Sequence, residues 1–235
     1  MGLIFLSSAL HPLYNMVMSY TDLFFDLDDT LYESGNGLWE AIRGRMSQYM
    51  VEKLGLPEDE VPALRRTYFL TYGTTLRGLQ RHHNVNADEY LAYVHDLPLQ
   101  KYLQPILELR KMILSLAQQC WIFTNADADH ARRVLKALDL EGCFQSIIDV
   151  RAIQFACKPE VIAYQRALQL AGDPNPHQCV LLDDSTMNLL TAHQLGFTTV
   201  LVNRNGDSHP GIDHTIPNLL DLPDVMPYLW DNNGK

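Results

Sequence analysis

The 235-residue chain has little with which to grip a nucleic acid, cross a membrane or staple itself together. Lys and Arg number 18 against 28 Asp and Glu, for a net charge of −10, so the clustered cations that a phosphate backbone requires are missing. A nucleic-acid polymer is therefore not the expected partner, although a small anion held by a metal and a few local cations stays open. The four cysteines, Cys120, Cys143, Cys157 and Cys179, form no CxxC pair and lie in or beside apolar segments. They read as reduced core residues, which predicts a reducing compartment, cytoplasmic or also nuclear. No apolar stretch is long enough to span a bilayer, so no membrane partner is expected. The N-terminal MGLIFLSSALHPLYNMVMSY lacks a basic n-region and reads as an extension over residues 1–20 rather than a cleaved signal. Internal repeats and low-complexity segments are absent. What remains is an ordinary soluble composition, 47% hydrophobic and 20% charged, in a chain able to bury a full core.

The richest segment is FFDLDDTLY, Phe24 to Tyr32. Asp26, Asp28 and Asp29 follow an apolar run that predicts a buried strand, and the strand would lift Asp26 to its C-terminal end, where open α/β sheets keep their sites. Carboxylates this close repel one another. A bound cation would offset the repulsion, and so would a shared proton. Asp29 is accounted for by a solvated turn.

Apolar, β-rich runs recur at 23–27, 120–124, 146–150, 179–182 and 198–202. They lack strict alternation, as strands buried on both faces do. Helical spacing fills 127–140, 159–171 and 185–195, with Pro159 suited to a first helical turn. Strands alternating with helices predict a doubly wound parallel α/β sheet. The stretch from Trp39 to Leu97 departs from this pattern and reads as helices only, over 38–54, 58–71, a short piece near Leu76, and 87–94. The expected organisation is an α/β core over 21–33 and 99–235 with a small all-helical cap over 34–98. The proline-rich chain beyond Asn205 reads as irregular.

Four short motifs fall at the predicted strand ends or at a helix start: Asp26 with Asp28, Thr124 with Asn125, Lys158, and Asp183 with Asp184. Each alone has an ordinary explanation, as a cap, a turn or a solvated cation. In a parallel sheet the strand ends converge on one crevice. Together the motifs would supply two sets of carboxylates for a hard cation, donors for phosphate oxygens, and one lysine.

In this order, DLDDT at 26–30, FTN at 123–125, Lys158-Pro159 and LLDDSTMN at 181–188, the chain resembles the haloacid dehalogenase-like superfamily of phosphohydrolases. The dehalogenases of that superfamily lack the second acidic residue of the first motif, so Asp28 points to phosphate transfer. The resemblance implies Asp26 as nucleophile, forming an aspartyl-phosphate, and Asp28 as the acid and base. It implies Mg²⁺ held by Asp26, the Asp28 backbone carbonyl and the Asp183–Asp184 pair. It also implies Thr124, Asn125 and Lys158 on the transferring phosphoryl oxygens.

A narrower resemblance lies in the insert. YFLTYGTTLRGLQRHHNVNADEYLAYV from Tyr68, followed by DLPL at 96–99, is similar to the cap of the fungal and plant pyrimidine 5′-nucleotidases. This implies a pyrimidine nucleoside monophosphate, UMP or CMP, as substrate. The alternatives are a sugar phosphate, pyridoxal phosphate, a phosphomutase reaction, or a binding protein that has lost catalysis. Tyr68, Tyr72 and His83 have the chemistry to stack on a base, and Arg77 to bind a phosphate. The competing reading puts the two tyrosines, four apart, in a helix core, gives Arg77 an acidic neighbour, and leaves His82 and His83 on the surface.

Overall fold

The computed structural model describes residues 19–230. Strand β1 (Asp22–Phe25) is the apolar run before the aspartates, buried along its whole length. Leu23 and Phe25 enter one core cluster and Phe24 the other, as the two-residue period of a strand requires. The chain then leaves the sheet for helices α1 (Leu38–Glu52), α2 (Val61–Tyr72), α3 (Thr75–His83) and α4 (Ala87–His95). It returns through α5 (Leu107–Leu114) to β2 (Gln119–Phe123), α6 (Ala128–Ala137) and β3 (Ser146–Ile148). The second half runs α7 (Val161–Leu170), β4 (Cys179–Asp183), α8 (Thr186–Gln194), β5 (Thr198–Val202), β6 (His214–Ile216) and the short α9 (Leu222–Val225).

The six strands lie in the order β3-β2-β1-β4-β5-β6, every pair parallel. Helices α5 and α6 cover one face of this sheet and α7 and α8 the other, so the expected doubly wound α/β architecture is what forms. The order reverses at β1, which has β2 on one side and β4 on the other. That reversal opens a crevice at the carboxyl ends of the strands. Registration of Phe25 with Leu182 makes the next residues, Asp26 and Asp183, emerge side by side.

The insert has a core of its own, built on Tyr49, Met50, Tyr68, Leu79, Tyr90 and Val94. Thr74 and Asn86 cap α3 and α4 by accepting from the backbone N–H of Arg77 and Glu89. Tyr68 packs directly on the backbone of Gly78, where any Cβ would run into its ring. The insert meets the sheet near its strand ends. Arg77 pairs with Glu160 at 2.5 Å and reaches Cys157 Sγ at 3.3 Å, while Arg133 donates to the carbonyls of His95 and Leu97.

Three local expectations change. Residues 214–216 form a sixth strand, where the prolines of the C-terminal region suggested irregular chain; β6 is too short to show a pattern and exists through its pairing with β5. The third strand stops at Ile148 rather than Val150. Pro159 precedes its helix instead of opening it, and its bond to Lys158 is cis. The Asn125 side chain clasps the Lys158 backbone, accepting from its N–H at 2.8 Å and donating to its carbonyl at 2.9 Å, which holds this segment out of α7.

Residues 1–18 of the expected N-terminal extension lie outside the described residues. Its last residue, Tyr20, is buried in the core and bonded to Thr198 at 2.8 Å. All four cysteines are buried and unpaired. Among the described residues, no helix is long and apolar enough to cross a membrane.

Candidate active site

Lys158 organises the crevice. Its ammonium is fully buried and donates to Asp26 Oδ1 at 2.8 Å, Asp183 Oδ2 at 2.7 Å and the Phe123 carbonyl at 2.7 Å. One side chain thus ties the ends of β1, β2 and β4 together. Burial alone would lower the lysine, but Asp183 and Asp26 hold it above its ordinary value.

The carboxylates divide by environment. Asp183 is completely buried and saturated: besides Lys158 it accepts from the Ser185 N–H at 2.8 Å and from the Asn188 amide at 3.0 and 3.1 Å. Asp184 opens to solvent on the crevice side, yet the desolvation of its carboxyl among the packed strand ends, with Asp26 and Asp183 adding their charge, pushes it up to about 8. Asp26 is pushed up to about 7 by burial, against the pull of Lys158, with Asp183 and Asp28 adding to the rise. Oxygens of Asp26, Asp183 and Asp184 all lie within 4.8 Å of one another. Three crowded hard donors sharing the single positive charge of Lys158 fit a divalent cation that prefers oxygen and keeps several waters, such as Mg²⁺.

Asp28 sits in the turn after β1. Its Oδ1 accepts from the Tyr32 hydroxyl at 2.7 Å and meets His130 Nε2 at 2.9 Å. Burial works against it, yet His130 and Tyr32 keep its carboxyl below the usual carboxylate range. Asp29 has left-handed backbone, φ 60°, as a turn residue does, and its half-buried carboxyl is pushed up to about 6 by burial, Asp28 and Glu40. Thr124 is buried at the end of β2, its hydroxyl oxygen accepting from the Ala126 N–H at 3.0 Å.

The structure therefore gathers Asp26, Asp28, Thr124, Asn125, Lys158, Asp183 and Asp184 at one end of the sheet. The three cap candidates are placed differently. Arg77 reaches the Cys157–Glu160 segment beside Lys158. Tyr72 and His83 bond within the insert, Tyr72 to His82 at 2.7 Å and His83 to Tyr68 at 2.9 Å, and Tyr68 stacks flat on His82.

Sequence reasoning missed three groups: His95, Asp127 and His130. His95 Nδ1 meets Asp127 Oδ2 at 2.7 Å, and the rings of His95 and His130 stack 4.0 Å apart. A signal was available in α6, where Asp127 caps the helix and His130 lies on the same face as the core residue Val134. Nothing in the sequence brings His95 to that face.

The profile of the haloacid dehalogenase-like hydrolases matches residues 23–196. The chain is similar to Phosphate metabolism protein 8 of Saccharomyces cerevisiae, 29% identical over 192 residues, covering 76% of this chain. It spans only 60% of that relative's length. Among solved structures, the HAD-hydrolase YfnB from Bacillus subtilis bound to magnesium superposes with a TM-score of 0.62 at 15% identity, over 88% of this chain and 99% of that one. A HAD phosphatase from Thermococcus onnurineus gives 0.61 at 21%, over 88% and 97%. The L-2-haloacid dehalogenase from Xanthobacter autotrophicus, with chloropropionic acid covalently bound, gives 0.55 at 16%, over 88% and 98%. At such identities these likenesses concern the fold.

Proposed function

The chain belongs to the haloacid dehalogenase-like hydrolases, and on that premise we propose that it is a Mg²⁺-dependent phosphomonoesterase working through an aspartyl-phosphate. The observation that carries this reading is Asp26, held by a buried lysine that also holds Asp183, with Asp184 alongside and Asp28 two residues on in the same crevice. A dehalogenase has no use for a second acid there; a phosphatase needs one to protonate an alkoxide.

An Asp26 carboxylate oxygen attacks phosphorus as the ester P–O bond breaks. Asp28 gives its proton to the departing oxygen, and the alcohol leaves. Asp28 then takes a proton from water, whose oxygen attacks phosphorus and breaks the bond to Asp26. Inorganic phosphate departs and both carboxyls return to their starting states. Lys158, the Thr124 hydroxyl and the Asn125 backbone N–H stabilise the phosphoryl oxygens, and charge stabilisation of this kind is usually the largest catalytic contribution. Asp26, the Asp28 carbonyl and Asp184 would hold Mg²⁺. Asp184 is favoured over Asp183 as the direct ligand, because hydrogen bonds already occupy both Asp183 oxygens. When bound, the cation supplies the positive charge that lets an anionic carboxylate approach an anionic phosphoryl group.

For substrate we propose a pyrimidine nucleoside monophosphate, UMP or CMP. This rests on the resemblance of the Tyr68–Val94 segment, with Arg77 supporting it by its position beside Lys158. We place the protein in a reducing compartment, cytoplasmic or nuclear, on the strength of its four unpaired cysteines.

A panel of phosphorylated metabolites, assayed for phosphate release, tests both levels. UMP and CMP are expected to be turned over fastest, with activity lost in EDTA and restored by Mg²⁺. Release from sugar phosphates or pyridoxal phosphate but not from UMP or CMP would overturn the nucleotidase reading and keep the phosphatase. Full activity in EDTA would remove the metal from the account.

A further inference from the structure

We propose that His130 is the positioning residue for Asp28: it pins Oδ1, so that Oδ2 is the oxygen presented to the leaving group, and the His95–Asp127 pair fixes the His130 ring. The inference rests on the reading of Asp28 as acid and base.

Asp28 needs such support because it lies in a turn beyond the strand. Proton transfer requires a heavy-atom approach of about 2.6–3.2 Å, and a freely rotating carboxyl would spend little time there. Two neighbours remove that freedom, and both act on the same oxygen. The Tyr32 hydroxyl donates to Oδ1 at 2.7 Å, and His130 Nε2 lies 2.9 Å from it. With the acid proton on Oδ2, Oδ1 only accepts, so Nε2 carries the hydrogen of this contact. His130 Nδ1 is buried without a hydrogen-bond partner among the described residues. With Oδ1 occupied twice, Oδ2 is the oxygen left for the substrate.

The His130 ring is itself over-determined. It is 1% exposed and lies 4.0 Å under the His95 ring at an angle of 18°. Asp127 serves both histidines: its Oδ2 accepts from His95 Nδ1 at 2.7 Å and its Oδ1 from the His130 backbone N–H at 3.0 Å. Arg133, one turn further along α6, donates to the His95 carbonyl at 2.7 Å. Asp127, His130 and Arg133 thus form one face of α6 that holds the end of the insert and the catalytic turn together. His95 ends α4 of the insert, so the orientation of Asp28 depends on the insert as well as on the sheet. The two rings also border a cavity of about 730 Å³ between insert and core. Its arginines are already committed to protein, Arg45 to the Tyr93 carbonyl, Arg133 as above and Arg151 to Asp88, which leaves the rings as the chemically informative part of that wall.

Leaving groups separate positioning of an acid from general damage. A nitrophenolate departs without a proton, whereas an alkoxide needs one. The value of kcat/KM reports the steps through alcohol release, so it isolates the acid role. The experiment compares p-nitrophenyl phosphate with UMP and glycerol 2-phosphate in the wild type, His130→Ala, His130→Gln and Asp28→Asn. His130→Ala is expected to lower kcat/KM for the alkyl phosphates by on the order of 10- to 100-fold, part of what general acid catalysis supplies, and for the nitrophenyl ester by no more than about threefold. His130→Gln, whose amide N–H can take the place of Nε2–H, is expected to recover most of the loss. Equal losses on all three esters, or none on the alkyl phosphates, would overturn the inference. Should His130→Ala fold poorly, His130→Asn, whose amide is too short to reach Oδ1, takes its place in the same comparison. Asp28→Asn is the control for the underlying reading. If it lacks the leaving-group dependence, Asp28 is not the acid. If it shows the dependence and the His130 variants do not, the reading stands and the positioning role falls.

Discussion

Replacing Asp26 with Asn is expected to abolish turnover, by on the order of 10⁴-fold or more, while leaving the fold near its original stability. The loss follows from chemistry, since an amide oxygen is too weak a nucleophile to open the ester, and the neighbouring carboxylates are otherwise engaged, Asp28 by Tyr32 and His130 and Asp183 by Lys158, Ser185 and Asn188. Retained stability follows from the contacts. The amide oxygen can still accept from Lys158, and the substitution removes a charge that burial, Asp183 and Asp28 already disfavour. A change of no more than about 1 kcal/mol in urea unfolding is expected for so conservative an exchange. Activity above a few per cent would mean that Asp26 is not the nucleophile. A collapse in stability would mean that the activity loss reports folding.

Lys158→Met is expected to damage both activity and stability. Among the described residues Lys158 is the one cation that touches both Asp26 and Asp183, and its third hydrogen bond, to the Phe123 carbonyl, ties in the end of β2. Removing one partner of a buried ion pair leaves uncompensated charge and costs about 3–5 kcal/mol. Here two carboxylates lose their partner together. Turnover is expected to fall by on the order of 10²- to 10³-fold, the usual effect of deleting one electrostatic stabiliser of a developing charge. Urea unfolding of the metal-free variant measures the stability change, and added Mg²⁺ is expected to recover more stability in the variant than in the wild type. An unchanged unfolding midpoint in the variant would contradict the central position given to this lysine.

How far the sequence carried the reading depended on whether the information was local. Strands β1, β2, β4 and β5 are continuous apolar runs, and each announces itself within five residues. Strand β6, His-Thr-Ile, has no such run and is specified by its partner Val200–Val202. The carboxylates, the lysine and the Thr-Asn pair were legible because each sits in a short motif at a strand end or helix start, and parallel topology brings those ends together. Their division of labour was not legible. That Asp183 is saturated depends on Ser185, Asn188 and Lys158 together, and that Asn125 clasps the Lys158 backbone joins residues 33 apart. The His95–Asp127–His130 group is less local still. It joins the end of the insert to the start of α6 and then to a turn about a hundred residues earlier, a meeting that only the folded chain defines.

The insert shows the same limit. The expected core role of Tyr68 is met by its burial against Gly78, and Arg77 has the acidic partner anticipated for it. The pairing of Tyr68 and Tyr72 with His83 and His82 came only from the fold, because α2 and α3 must first pack side by side.

Catalysis by Asp26 requires a covalent intermediate on that residue. Asp28→Asn removes the base that would release it, so the phosphorylated enzyme is expected to accumulate with p-nitrophenyl phosphate, whose leaving group needs no acid. Rapid-quench kinetics with peptide mass spectrometry should show one equivalent of nitrophenol released per site as a burst, and one phosphoryl group on Asp26. Steady release with no burst and no adduct, or a phosphoryl group on any other residue, would contradict it.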